Sequence, residues 1–236
     1  MYPNFPIKAP FFEFGPKAYL YGNELLKLVK VIDQAAIRYD VDVIVTPQYT
    51  DIRLLAENTE RIFVFAQHMD PLPVGRGLGS VLPEAVKAAG ADGVMLNHAE
   101  KPLSLETIAK TIKRADEVGL ATIVCADTPQ DLDAIVRLSP NLVVAEPTSL
   151  IGTGQTSDES YVRETLRVVR EIDPRIMVLQ GAGISNANDV YRTIMLGAQA
   201  TGSTSGIIKA ADPAAMAVEM IRAVREAWDE RNGRQA

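Results

Sequence analysis

Eight short runs of Val, Ile, Leu, Ala and Phe recur along the 236 residues, separated by stretches that carry helical patterning. They are predicted as strands at Phe11–Phe14, Val41–Val45, Ile62–Ala66, Gly93–Asn97, Ala121–Cys125, Leu142–Ala145, Ile176–Leu179 and Ala200–Gly202. Most are apolar at every position instead of alternating, as in a parallel sheet covered by helices on its outer face. Strand and helix repeated eight times has two main solutions, a closed barrel or an open doubly wound sheet. The count of eight and the chain length favour the barrel. With no low-complexity linker and no break in composition, the expectation is an α/β chain forming one (β/α)8 barrel domain over residues 1–236, with 231–236 a frayed tail.

The intervening stretches carry start and stop signals. Ser104 is placed to cap a helix with Leu105, Ile108, Ile112 and Ala115 on one face, ending at Gly119. Thr156 and Glu159 have capping-box spacing ahead of Val162, Leu166, Val169 and Ile172. Ser185 precedes a segment containing Val190 and Ile194 that stops at Gly197. A last helix is predicted from about Pro213, with Val218, Ile221, Val224 and Trp228 on one face.

Charge and cysteine usage narrow the function classes. A net charge of −6 leaves no broad basic face to displace counterions from nucleic acid, so a nucleic-acid partner is not expected. An anionic metabolite is still compatible, since a few main-chain amides and one lysine suffice to hold it. Cys125 is the only cysteine and excludes an intrachain disulfide, which is compatible with a reducing compartment. The opening MYPNFPIKAPFFEF does not read as a secretion signal, and no run approaches the roughly 18 apolar residues of a membrane span. A cytoplasmic protein without a membrane partner is the expectation.

A parallel barrel turns all its strand ends to one mouth, so residues far apart in sequence meet there. In VMLNHAEKP, His98 directly follows a strand and would face that mouth, where an imidazole can polarise a carbonyl. The plainer reading is a histidine bonded within a polar loop. In LVVAEPTSLIGTGQTSDES, Glu146 ends an apolar strand, and desolvation there would raise its basicity. Pro147 stiffens the next step, while Gly152 and Gly154 sit where a mobile segment would bend. A salt-bridged rim glutamate before an ordinary glycine loop is the alternative.

QGAGIS and ATGSTSGI follow the last two strands. Gly181, Gly183 and Gly202 allow amides close to an anion, and Ser185 is expected to cap a helix while its hydroxyl reaches the ligand. Barrels often hold phosphate between these two loops. Lys17, after the first strand in FEFGPKAYLYG, would balance phosphate and enolate charge, though an isolated lysine can equally be a solvated surface group. Gln67, His68 and Asp70 are weaker candidates for the mouth, with a structural or subunit-contact role the plainer reading. Asp127 is similarly placed to cap a helix. His68 and His98 lack a third donor at metal-ligand spacing, so no metal is expected. Cys125 is expected to pack.

Taken together, FAQHMDP, LPEAVKAAGADGVMLNHAE, VGLATIVCAD, AEPTSLIGTG and GAGIS resemble the triosephosphate isomerase family, especially its short archaeal type, in order and approximate spacing. The resemblance extends over nearly the whole chain. It implies that Glu146 is the base moving a proton between adjacent carbons, with His98 the electrophile and Lys17 the charge partner. It also implies a lid from Pro147 to about Gly154, and phosphate amides near Ile151, Gly152, Gly183, Thr204 and Ser205, with Ser185 nearby. No cofactor is implied. The partner implied is a small phosphorylated sugar, and association as a homodimer or homotetramer through Val74–Ser80 follows by analogy.

The chain departs from that pattern at the mouth. Gly15-Pro16-Lys17 stands where the family has Asn-x-Lys, Ala99 where serine is common, and Gly202–Gly206 is rich in hydroxyls. The leading expectation is an aldose–ketose isomerase with glyceraldehyde 3-phosphate and dihydroxyacetone phosphate as its pair. A tetrulose-phosphate isomerase and a non-catalytic phosphosugar-binding protein are the alternatives. A lyase or epimerase would need a Schiff-base lysine inside a strand or a metal cluster, and the sequence offers neither.

Overall fold

The computed structural model describes residues 1–233. Eight parallel strands close into a barrel in sequence order, the first pairing with the last. They are β1 (Phe11–Phe14), β2 (Asp42–Val45), β3 (Ile62–Ala66), β4 (Gly93–Leu96), β5 (Ala121–Ala126), β6 (Leu142–Ala145), β7 (Met177–Gln180) and β8 (Ala200–Ser203). The α-helical segments between and after them are α1 (Gly22–Tyr39), α2 (Ile52–Ala56), α3 (Pro83–Ala88), α4 (Leu105–Val118), α5 (Pro129–Val136), α6 (Glu159–Ile172), α7 (Ala187–Met195), α8 (Ser205–Ile208) and α9 (Pro213–Arg231).

The two-sided burial of the strands explains their composition. Phe11, Ile44, Phe65, Ile123, Leu142, Val144 and Leu179 fill the barrel interior. Their neighbours Phe12, Phe14, Val43, Val45, Val64, Val124 and Val143 face outward and pack with Leu25, Val29, Ile32 and other helix side chains. Because direction alternates along a strand, Glu13 points inward with Phe11.

The strands lie where the sequence places them to within one residue, and the small differences have local causes. Val41 belongs to the turn after α1, its amide donating to the Ala36 carbonyl. Asn97 takes a left-handed φ of 59°, which ends β4 one residue early.

Helix ends agree in part. Ser104 accepts from the Thr107 amide at 3.2 Å, and Gly119, with φ 77°, closes α4 as expected. Two predicted caps are corrected. Asp158, immediately before α6, accepts from the Tyr161 amide, so Thr156 is not the cap. Asn186, not Ser185, caps α7 by accepting from the Asp189 amide. The fully buried face of α9 is formed by Ala217, Met220, Ile221, Ala223, Val224 and Ala227, while Val218 and Trp228 are only partly covered. Of the expected tail, Arg231 completes α9, and residues 234–236 lie outside the described residues.

Packing is tight where strands meet. A Cβ on Gly93 would lie 2.4 Å from the Phe65 ring and 2.7 Å from the Ala121 carbonyl oxygen, which is backbone and cannot move aside. Gly93→Ala is therefore expected to cost about 1–3 kcal/mol, a fall of about 2–10 °C in Tm by calorimetry. An unchanged Tm would show that the barrel wall yields at this point. No helix among the described residues is long and apolar enough to cross a membrane.

Candidate active site at the barrel mouth

The C-terminal ends of the strands open onto a cavity of about 480 Å³ lined by Lys17, His98 and Glu146, together with loop residues after β6, β7 and β8. Glu146 follows β6 directly, and its amide extends the sheet by donating to the Ala126 carbonyl at 2.9 Å. Its Oε1 accepts from the Ala182 amide at 3.0 Å, and its Oε2 lies 3.8 Å from His98 Nε2. That distance is too long for a hydrogen bond. Burial raises the Glu146 carboxyl above its ordinary range, opposed by Lys17 and by the Ala182 amide. The result is a carboxylate more basic than one in water.

His98 is fixed by the turn it stands on. Asn97, in its left-handed conformation, donates to the Cys125 carbonyl and accepts from the Leu103 amide, tying the loop to the neighbouring strand. The Glu100 amide donates to His98 Nδ1 at 3.1 Å. With Nδ1 accepting, the proton of the neutral ring resides on Nε2, which faces Glu146. Burial, helped by the Lys17 charge, lowers the His98 pKa from its ordinary value and favours that neutral form. The imidazole is thus a neutral donor beside a base.

Lys17 reaches the same place from β1. Its residue takes φ 49°, and its carbonyl accepts from Gln48 at 2.9 Å and from Gln67 at 3.0 Å. This pair of glutamines holds the Gly15-Pro16-Lys17 loop. Lys17 Nζ lies 2.6 Å from Glu100 Oε1, and that bond holds the Glu100 carboxyl below its ordinary range. Gln67 was only a weak candidate from sequence, and Gln48 was not one; both act through the lysine's backbone.

The glycine-rich loops after β6, β7 and β8 converge only in part as expected. Ile151, Gly152, Gly183, Thr204 and Ser205 all line the cavity. Ser185 does not: its hydroxyl donates to Asp189 at 2.7 Å, which turns it away, and Ser203 takes a place in the lining. Lys209, just past α8, also lines the cavity and carried no signal in sequence.

The segment after Glu146 is anchored at its start, where the Thr148 amide donates to Asp127 at 2.8 Å. That is the contact Asp127 makes, and it is not a helix cap as expected, because Thr128 caps α5 by accepting from the Asp131 amide. Gly152 and Gly154 take φ 74° and 75°. The return arm rests on Gly183, where an added Cβ would lie 1.8 Å from the Gln155 carbonyl oxygen. Gly183 also has φ 70°, so only glycine fits there.

Apart from Lys17, His98 and Glu146, His68 is buried against Asp70 at 3.1 Å, and Asp70 also accepts from the Val81 amide, which organises the 70–81 loop. Cys125 is buried at the cavity floor, where burial pushes its thiol pKa up. Among the described residues no three His, Cys, Asp or Glu side chains are grouped to hold a metal ion.

Known proteins are similar to this chain. The family model for triosephosphate isomerase matches residues 16–224. The triosephosphate isomerase of Methanothermus fervidus is 39% identical over 203 residues, covering 85% of this chain and 91% of that protein. That of Sulfolobus acidocaldarius is 33% identical over 229 residues, covering 95% and 99%. The crystal structure of triosephosphate isomerase from Bartonella henselae superposes with a TM-score of 0.75 at 16% identity, over 92% of this chain and 99% of that one, a likeness of fold.

Fold and relatives together define a (β/α)8-barrel isomerase, an intramolecular oxidoreductase. The chain belongs to the triosephosphate isomerase family.

Proposed function

We propose that the protein interconverts glyceraldehyde 3-phosphate and dihydroxyacetone phosphate by proton transfer through a cis-enediolate. One observation carries this reading: a basic carboxylate and a neutral imidazole face each other across 3.8 Å at the mouth, with Lys17 alongside. Glu146 takes a proton from the carbon next to the carbonyl and returns it to the adjacent carbon. His98 donates a hydrogen bond from Nε2 to the carbonyl oxygen as negative charge develops there and passes the hydroxyl proton from one oxygen to the other, ending neutral as it began, while Lys17 offsets the developing charge. Amides near Ile151, Gly152, Gly183, Thr204 and Ser205 hold the phosphate, with Lys209 adding positive charge nearby. Closure of the 147–154 lid keeps water from the enediolate, which would otherwise shed phosphate; triosephosphate isomerase is itself a standard example of such a gate.

A role in glycolysis or gluconeogenesis, in the cytoplasm, accords with the family name. Val74 and Leu78 are exposed at 70% and 108% on the 70–80 loop, which suits contact with a second copy in a homodimer or homotetramer.

The test is a coupled assay of purified protein on triose and tetrulose phosphates. Preferred turnover of the trioses is expected. Turnover of the tetruloses alone would reassign the substrate, and phosphosugar binding without turnover would make the protein a sensor.

A further inference from the structure

One ionisable group at the cavity floor has no part in the chemistry above. Glu13 lies in the middle of β1 and points into the barrel, flanked on the outer face by Phe12 and Phe14. Its Oε1 accepts from the Thr46 hydroxyl at 2.9 Å. Among the described residues its Oε2 has no hydrogen-bond partner, yet it is not sealed off, because Glu13 lines the cavity. The neighbouring strand leaves room for it: Glu13 pairs in register with Gly202, where a Cβ would lie 2.7 Å from Oε2. A Cβ at Gly15 would lie 3.0 Å from Oε1. Two positions without side chains thus frame a carboxyl group with one oxygen free.

We infer that Glu13 is a specificity-determining residue whose free oxygen hydrogen-bonds a hydroxyl or carbonyl oxygen of the sugar phosphate, at a point remote from its phosphate. This rests on the phosphosugar isomerase reading. A carboxyl group in its acid form offers one donor and one acceptor, as a carboxamide does. With Thr46 engaging the acceptor, the donor is left for the ligand. Phosphate is a poor match for this position, since an ionised Glu13 would repel it and the amide-rich loops lie after β6, β7 and β8.

The surroundings keep the acid form in reach. Burial, with Glu146 adding repulsion, raises the Glu13 pKa to about 7, against the Thr46 hydrogen bond and the Lys17 charge. The other titratable groups around the floor are His98, held neutral, and Cys125, whose thiol is pushed up. Burial favours the neutral imidazole of His98 and the protonated thiol of Cys125. Glu146 works as a base when ionised, so its titration gives the acid limb of a pH profile. Glu13 works as a donor when protonated, so its titration gives an alkaline limb near pH 7.

The experiment compares the parent protein, Glu13→Gln and Glu13→Ala in kcat/KM for dihydroxyacetone phosphate from mildly acidic to mildly alkaline pH. Competitive inhibition by inorganic phosphate is measured beside it. The parent is expected to lose kcat/KM as pH rises through about 7. Glu13→Ala is expected to lower kcat/KM about ten-fold on the acid side, chiefly through KM. Glu13→Gln, which keeps a donor and an acceptor but cannot ionise, is expected to recover most of that loss and to abolish the alkaline limb. Phosphate inhibition should be the same in all three.

An alkaline limb that persists in Glu13→Gln overturns the inference, as does Glu13→Ala with parent kinetics. Should Glu13→Ala fail to fold, the pH profile of Glu13→Gln decides alone. An active parent whose kinetics ignore residue 13 sinks only this inference. A parent that turns over no phosphosugar sinks the functional reading and this inference with it.

Discussion

Glu146→Ala is expected to lower kcat for triose phosphates by about 10³-fold, while the inhibition constant of inorganic phosphate stays within about two-fold of the parent value. The substitution removes the only carboxylate within 3.8 Å of His98 Nε2 among the described residues, and it changes none of Gly183, Thr204 and Ser205, which line the cavity. The Ala182 amide loses its acceptor, so Glu146→Gln, which keeps an oxygen there, separates chemistry from loop position. Both variants should show that loss of kcat. Parent turnover in either would remove Glu146 from the reaction. The pH dependence has a definite sign. Because burial raises the Glu146 pKa, activity is present above that raised value and is lost as pH falls through it, earlier than for an ordinary glutamate.

Lys17→Ala is expected to lower kcat/KM by about 10²-fold, with KM raised and kcat reduced together. The ammonium group is the positive charge that pulls Glu146 down and His98 down, so its loss acts on both partners. Glu146 becomes harder to ionise and the acid limb of the profile moves to higher pH. His98 becomes easier to protonate, which costs neutral donor in the same pH range. Glu100 loses its 2.6 Å partner and adds unbalanced negative charge near the developing enediolate. Steady-state kinetics across pH measure all three effects. Parent kinetics with an unmoved acid limb would make Lys17 a surface cation with no share in the reaction.

Most strands were legible because they are buried on both sides, so nearly every residue in the run is apolar and the boundary falls where that stops; β8, with Thr201, Gly202 and Ser203, lacks that signal. Glu146, His98 and Lys17 were legible for a related reason: a polar residue within the first few positions after an apolar strand lies at the mouth. Glu13 was harder to see because it lies inside such a run. Its signal is the alternation Phe11-Phe12-Glu13-Phe14, which puts it on the inner face, a costly place for a carboxyl without a task. The cap of α6 turned on which oxygen reaches the first free amides, and Asp158 is nearer than Thr156. Ser185 was misread because its partner, Asp189, lies one helical turn on, in a helix whose own cap is Asn186. Gln48 and Gln67 act on the Lys17 carbonyl across 31 and 50 residues, which no local pattern records.

The movement of one proton between neighbouring carbons is followed most directly by incubating the protein with dihydroxyacetone phosphate in heavy water and reading the recovered sugar phosphates by NMR. Single deuterium incorporation at the carbon that exchanges with Glu146 is predicted for the parent, and none for Glu146→Gln. Bound substrate that gains no deuterium in the parent, or equal incorporation in both proteins, would contradict the account.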